Sequence, residues 1–305
     1  MNMIEIQKVT KKFDEKTILD AIDLQIPNGS AFALIGSNGA GKSTILRLLC
    51  GVYQPNDGKV LLDGKPIYNS PAEKQRIFFV PDETAQYHGF TVRSLADFYK
   101  AYYPRFSEEL FERMLKAIPL PVNESLMKFS KGMKRQAIAM IGIAAQPDVL
   151  LLDEAFDGLD PSMRIMIRKL LVDLMLEKGM TVVISSHNLT EVNEICDSAA
   201  MLHNGKIIFS SSLDEARSSV HKIQIAFSSD TKAITEDDFR NLGADVLSMK
   251  QNLSVYHLVV RGEEEQLRAL FETLHPAVLD MIPLTLEEIF IHELEVLGYG
   301  NYVFE

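Results

Sequence analysis

Nine residues constrain this chain more than any others. Gly36–Thr44 reads GSNGAGKST, set between the continuously apolar Ala31-Phe32-Ala33-Leu34-Ile35 and the helix-like Ile45-Leu46-Arg47-Leu48-Leu49. A run that is apolar at every position suits a strand buried on both faces. Strand, glycine-rich loop and helix together open an α/β unit. The loop satisfies G-x-x-x-x-G-K-[ST]. Its glycines let successive backbone N–H groups turn inward around a β-phosphate, Lys42 reaches the β- and γ-phosphates, and Ser43 ligates Mg2+. The helix, from about Gly41, points its positive end at the same charge. Nucleotide binding is therefore expected of Gly36, Ser37, Asn38, Gly39, Ala40, Gly41, Lys42, Ser43 and Thr44.

Two further runs, Val149–Leu152 and Thr181–Ile184, read as buried strands with polar C-terminal ends. That edge is where open parallel sheets hold ligands. Met3–Val9 and Ala21–Ile26 alternate as half-buried strands do, and Met163–Glu177 has helical composition ending at Lys178-Gly179. From about 91 to 145 the pattern is helical. Ser107 caps a helix with Glu108 and Glu109 in its first turn, Leu110, Phe111, Met114, Leu115 and Ile118 share a face, and Pro119 stops it. This predicts a helical insertion into the α/β core. Past about residue 220 the order changes. Ile223, Ile225 and Phe227 alternate, Glu236–Leu242 suits a helix, and Asp245–Lys250 and Ser254–Val260 read as a hairpin across Gln251-Asn252. Glu263–Leu274 then suits a helix and Val278–Ile282 a strand, an order that fits a small ferredoxin-like domain.

With 305 residues, one large or two modest domains are expected, and 47% hydrophobic content suffices for a core. A net charge of −11 argues against a nucleic-acid partner, which needs a basic face. Cys50 and Cys196 each follow an apolar stretch without CxxC spacing, so they read as reduced, buried cytoplasmic thiols with no zinc site or disulfide framework. The N-terminus lacks an apolar core of signal-peptide length. The longest apolar run, Ala137–Ala145, falls short of the roughly 18 residues a spanning helix needs, so the protein is expected not to cross a membrane by itself.

The run Leu150-Leu151-Leu152 ends in Asp153-Glu154. Phosphoryl transfer needs a carboxylate for the metal and a residue that positions or deprotonates water. Asp153 fits the first role and Glu154 the second. Alone, such a run is an ordinary strand exit; beside a phosphate loop it completes a phosphoryl-transfer pair.

With both motifs in view, residues from about 2 to 218 resemble the nucleotide-binding subunit of ABC transporters. Gly36–Thr44 resembles its Walker A motif, Val149–Glu154 its Walker B, GLDP at Gly158–Pro161 its D-loop, and SSHNLTEVNEICD at Ser185–Asp197 its switch segment. The resemblance implies an α/β fold: a P-loop NTPase core of the ABC ATPase type over 1–218, with a helical subdomain at about 84–145. A small α+β, ferredoxin-like domain would follow over 219–305. It implies ATP and Mg2+ as ligands, catalysis by Lys42, Glu154 and His187, and contact of His187 with the γ-phosphate. Adenine would stack on Phe13, for which a core position is the competing reading. Asp160 would reach the nucleotide site from the D-loop, and Ser43 and Asp153 would hold the metal. The family commonly carries Gln after a strand where FFVPDE here places Asp82, with Glu83 next. Asp82 would join the magnesium shell by accepting from a metal-bound water, while adding negative charge near the γ-phosphate.

A second departure is Phe129-Ser130-Lys131-Gly132-Met133, where the family signature is commonly L-S-G-G-Q. Ser130 and Gly132 are retained, and a Ser hydroxyl and Gly N–H at a helix start can donate to the γ-phosphate of ATP bound on another subunit. Lys131 adds a cation and Met133 removes a polar contact. The resemblance thus implies a homodimer, or a heterodimer with a similar ATPase subunit, with ATP in the interface. Signatures of the S-K-G-M-[KR] type, and IPLTLEEIFIHE at Ile282–Glu293, resemble the bacterial exporter branch handling drugs, antimicrobial peptides or lipids. The second segment is equally a plain amphipathic helix. The implied partner is a separate ABC permease, which would hold this subunit at the cytoplasmic face of the membrane. A permease helix would dock near the aromatics between Phe78 and Phe106, most of which are equally core by pattern. The other reading is a soluble ABC-type ATPase acting on ribosomes, DNA or protein assembly. Such forms usually bring a second ATPase domain, long coiled coils or zinc sites.

Overall fold

The computed structural model describes residues 2–82, 87–156, 159, 161–227, 235–282 and 284–296. The chain divides into two compact units, Met1–Ser210 and Ser211–Glu305. The first holds strands β1 (Asn2–Phe13), β2 (Lys16–Pro27), β3 (Ala31–Ile35), β4 (Asp57–Leu62), β5 (Lys65–Pro66), β6 (Ile77–Val80), β7 (Val149–Asp153), β8 (Thr181–Ser186) and β9 (Ser198–His203), and all but the end of β10 (Lys206–Ser212). Its helices are α1 (Lys42–Leu49), α2 (Pro71–Lys74), α3 (Val92–Tyr102), α4 (Glu108–Ala117), α5 (Lys131–Ala144), α6 (Pro161–Lys178) and α7 (Leu189–Ile195).

Two sheets organise this unit. An antiparallel one runs β2-β1-β4-β5, and a six-stranded one runs β10-β9-β3-β8-β7-β6. In the second, β3 is parallel to β8 and β9, and β7 is parallel to β8 and β6. Strands β3, β7 and β8 are buried at every position, as their unbroken apolar runs require. Register sets the site: Ile35 stands opposite Ser186, and Asp153 opposite Ser185. The phosphate loop, the Asp-Glu pair and the segment after β8 therefore leave the same edge of one sheet.

Several elements extend or add to the sequence reading. Strands β1 and β2 are each 12 residues long, and their pairing carries register shifts around Val9. Lys8 and Ala21 take positive φ of 47° and 46°, which breaks the two-residue alternation and hides the true strand length. The β9–β10 hairpin was not foreseen. It turns on Asn204-Gly205, both at positive φ (46° and 76°), as a two-residue hairpin turn requires. Helix α4 begins as expected, with Ser107 Oγ accepting from the Leu110 N–H at 3.1 Å. Helices α3, α4 and α5 pack a core of Phe78, Val92, Leu95, Phe111, Met114 and Ile138 against β6 and β7. A Cβ at Gly142 would stand 2.8 Å from the Phe78 ring, so the glycine admits that ring against α5. Cys50 and Cys196 are free and partly buried against the two cores, and burial pushes both thiols up.

The second unit holds α8 (Leu213–Ser219), β11 (Val220–Ala226), α9 (Glu236–Asn241), β12 (Asp245–Asn252), β13 (Val255–Arg261), α10 (Glu264–Glu272), β14 (Val278–Ile282) and α11 (Leu286–Val296). Its sheet is antiparallel throughout, in the order β12-β13-β11-β14. The hairpin turns at Leu253-Ser254, two residues later than expected, with Leu253 at φ 55°. Ile223, Ile225, Phe239, Leu258 and Phe271 form its core. Leu286, Ile289 and Phe290 are buried, so packing alone accounts for the apolar face of α11. Among the described residues, no helix is long and apolar enough to cross a membrane.

Candidate functional site

The loop after β3 is shaped by backbone that side chains would obstruct. A Cβ at Gly36 would stand 2.4 Å from the Leu202 carbonyl oxygen. Gly41 has φ 114°, and a Cβ there would meet Leu19 at 2.7 Å. Lys42 opens α1 and is 6% exposed. Its Nζ donates to the carbonyls of Gly36 at 2.6 Å and Ser37 at 3.3 Å, and faces Oε1 of Glu154 at 3.4 Å. The ammonium is thus folded back over the loop and held there by a carboxylate, which satisfies a buried charge.

The next two strands supply the other charges. Oδ1 of Asp153 accepts from Ser43 Oγ at 3.0 Å and from Ser185 Oγ at 2.6 Å. Asp153 is fully buried, and its Oδ2 is a buried side-chain oxygen with no hydrogen-bond partner among the described residues. An unpartnered buried carboxylate oxygen beside a hydroxyl is costly unless something occupies it. Hard oxygen donors in small number suit Mg2+, which keeps waters and takes its remaining ligands from phosphates. Ser43 and Asp153 therefore fit the metal that a phosphate loop implies. Glu154 follows at φ 48°, outside the ordinary range for a residue with a side chain, and its N–H donates to Ser185 Oγ at 3.0 Å. His187 Nδ1 then donates to Glu154 Oε2 at 2.8 Å.

Lys42, Ser43 and Glu154 border one open cleft of about 340 Å³, lined also by Phe13, Lys16, Ile18, Asp82 and further residues of the phosphate loop; Asp153, Ser185 and His187 are not among the described residues lining it. Phe13 is 39% exposed rather than core, and packs edge-on against Tyr53 at 5.1 Å. Of the expected loop residues, Ser37, Asn38, Gly39, Gly41, Lys42, Ser43 and Thr44 line the cleft, while Gly36 and Ala40 are buried and do not. Asp82 lines it too, but its carboxylate is engaged by Arg135 and Lys131. Ser130 caps α5, its Oγ accepting from the Met133 N–H at 3.2 Å, and Gly132 lies in that helix's first turn. Neither is among the described residues lining the cleft. Asp160 and Glu83 lie outside the described residues. Sequence reasoning missed Ser185 and Arg135 as participants. Ser185 was readable as a hydroxyl leaving a buried strand, and Arg135 as a cation close to the largest apolar run of the chain.

A family model described as "ABC transporter" matches residues 19–157. The chain is 30% identical over 290 residues to the ABC transporter ATP-binding protein YtrB of Bacillus subtilis (strain 168), covering 95% of this chain and 97% of that protein. It is also 30% identical to the Fe(3+) ions import ATP-binding protein FbpC of Yersinia pestis bv. Antiqua, over 68% of this chain and 61% of that protein. A solved structure described as the ATP binding subunit of an ABC transporter superposes with a TM-score of 0.65 at 26% identity, over 70% of this chain and 92% of that one. One of these relatives is by its name an importer subunit, so likeness to the family carries no direction of transport. The phosphate loop, the buried Asp-Glu strand end and this likeness over 95% of the chain converge: the chain belongs to the ABC transporter ATP-binding family, ATPase subunits that work with a membrane permease.

Proposed function

We propose that Gly36–Thr44 cradles the phosphates of ATP, that Phe13 stacks on its base, and that Ser43 and Asp153 hold Mg2+. The observation that carries this reading is the unpartnered Oδ2 of Asp153 beside Ser43, one residue before a carboxylate held between Lys42 and His187. The metal's contribution would be to neutralise charge on the phosphate oxygens. Lys42 leaves Glu154 for the phosphates, exchanging one anion for another without becoming unpaired. Glu154, released on one side, takes a proton from the attacking water as the new P–O bond forms and the bond to the ADP oxygen breaks. His187 holds the carboxylate in place through Nδ1 and offers its other ring edge to the γ-phosphate.

Ser130 belongs to this reading in trans. Its oxygen is occupied by the Met133 N–H, which leaves the hydroxyl proton to donate outward. With Gly132 and the start of α5 it would meet ATP on a second subunit, alike or similar, and Asp160 would approach from the same interface. Residues 1–218 form the ATPase domain in this reading, with the helical subdomain at about 84–145. Residues 219–305 form an accessory ferredoxin-like domain, which the strand order β12-β13-β11-β14 supports. The permease would hold the subunit at the cytoplasmic face of the membrane by docking at the aromatic ridge of α3. Phe98 and Tyr102 are exposed there beside a cleft bounded by Pro71 and Gln75. Export rests on resemblance alone, that of the Ser130-Lys131-Gly132-Met133 signature and of the Ile282–Glu293 segment.

Sedimentation of the Glu154→Gln variant with Mg2+ and ATP tests the shared site: a dimer is expected, and Ser130→Ala should weaken it by ~10-fold or more. A monomer at saturating ATP would remove Ser130 from its role. Phe98→Ala with Tyr102→Ala should reduce co-purification of the permease and leave ATP affinity intact.

A further inference from the structure

One carboxylate ties the segment after β6 to the first turn of α5. Oδ1 of Asp82 accepts from Nη2 of Arg135, and Nζ of Lys131 stands 3.6 Å from the same oxygen. The guanidinium also donates to the Asp82 backbone carbonyl, at 3.2 Å from Nη2 and 3.4 Å from Nε. Lys131 and Arg135 are four residues apart, so they share a helix face. The Lys131 side chain is largely exposed, but that of Arg135 is only 5% exposed. A guanidinium buried to that degree needs an anion beside it, and Asp82 supplies one. The same Asp82 borders the cleft that Lys42, Ser43 and Glu154 line, while the helix it holds has Ser130 as its N-cap.

We propose that Asp82 is a positioning residue: an anionic clamp that fixes the first turn of α5 against the edge of the nucleotide cleft through Arg135 and Lys131. In this role it acts through α5 and not as a metal ligand: its Oδ1 faces two cations of that helix. Asp82 and Lys131 are also the two charged departures from the family's common residues. A Gln at 82 leaves Arg135 without this counter-charge, and a Gly at 131 removes the second cation. The two departures form one electrostatic unit, and its bearing on turnover rests on the role proposed above for Ser130.

Hydrogen exchange in the full chain, read at the amides of Met133–Ala137, tests the clamp. Asp82→Asn should speed exchange there by at least ~5-fold, and Asp82→Glu, which keeps the charge, should stay within ~2-fold of the parent. In 1 M NaCl the parent should move only as far as Lys131→Ala, because salt screens the exposed Lys131 pair and the buried Arg135 pair far less. Lys131→Ala should speed exchange partially and add nothing to Asp82→Asn, because the two substitutions remove one interaction. In steady-state hydrolysis Asp82→Asn should lower kcat while KM for ATP stays within ~3-fold, at every Mg2+ concentration. Unchanged exchange in Asp82→Asn overturns the clamp, as does an Asp82→Glu variant as labile as Asp82→Asn. A defect repaired by excess Mg2+ also overturns it and puts Asp82 in the metal's shell. Faster exchange in Asp82→Asn alongside parental turnover in Ser130→Ala leaves the clamp standing and removes the role of Ser130.

Discussion

Replacing Glu154 by Gln should move hydrolysis and ATP binding in opposite directions. The carboxylate stands between two donors, with Lys42 Nζ at 3.4 Å from Oε1 and His187 Nδ1 at 2.8 Å from Oε2. An amide of the same shape accepts from only one of them. Lys42 has no acceptor form, so the amide oxygen turns to Lys42, and His187 adopts the tautomer whose Nδ1 accepts. The site keeps its geometry and loses its base, so turnover should fall by at least ~100-fold, about 2.7 kcal/mol of barrier. Binding should tighten for two reasons. Lys42 no longer has an anion to leave, and the incoming phosphate no longer meets one. A phosphate oxygen held by Lys42 lies roughly 6 Å from this carboxylate, where two unit charges repel by about 0.7–3 kcal/mol between the dielectrics of bulk water and of a protein surface. ATP affinity should therefore rise by ~3- to 100-fold. Calorimetry with a non-hydrolysable ATP analogue gives the affinity of both proteins on equal terms, and single-turnover hydrolysis gives the rate. Weaker analogue binding by Glu154→Gln would refute the charge argument, and a rate within ~10-fold of the parent would remove Glu154 as the base.

Three further outcomes follow from the same geometry. Phe13→Ala should weaken ATP by ~5- to 100-fold, the worth of one base–aromatic stack, while pyrophosphate affinity is unchanged; equal losses for both ligands would contradict stacking. Gly36→Ala forces a Cβ to within 2.4 Å of the Leu202 carbonyl oxygen. It should destabilise by about 2–3 kcal/mol, seen as a Tm lower by ~5–10 °C, and a parental Tm would show that the loop relaxes freely. Burial alone would raise the Asp148 carboxyl, but hydrogen bonds from Arg76 and Arg105 outweigh it and hold the group below the usual carboxylate range. A lowered folded value means stability that is present above the ordinary carboxylate range and lost as pH falls through that lowered value. Asp148→Asn should thus lower the denaturation midpoint at neutral pH and converge on the parent in acid. A gap that widens in acid would reverse the sign of the argument.

What the sequence made legible is local chemistry. Strands β3, β7 and β8 were readable because burial on both faces demands apolar residues at every position, and α4 because its cap, acidic first turn and apolar face all agree. The length of β1 and β2 was not readable, since positive φ at Lys8 and Ala21 breaks the alternation that marks a strand. The β9–β10 hairpin was overlooked because β10 is only partly buried, so it lacks a clean period; its Asn-Gly turn was the available signal. In the site, Lys42, Ser43, Asp153 and Glu154 could be named because phosphate chemistry requires those types at those places.

The partners of these residues are a different kind of fact. Ser185 reaches Asp153, and Arg135 reaches Asp82, across sequence separations of 32 and 53 positions. The first pairing follows from the parallel register of β7 and β8, which a buried-strand reading cannot supply because parallel strands of similar composition can slide. The second follows from how α5 lies beside β6, where Gly142 lets the Phe78 ring come close and Arg135 faces Asp82. Read singly, an Asp in place of Gln and a Lys in place of Gly are two losses from a phosphate site. Brought together at 3.6 Å beside a buried guanidinium, they have compensating charge, and a chain that changed only one of them would shift the charge balance at the edge of its nucleotide cleft by one unit.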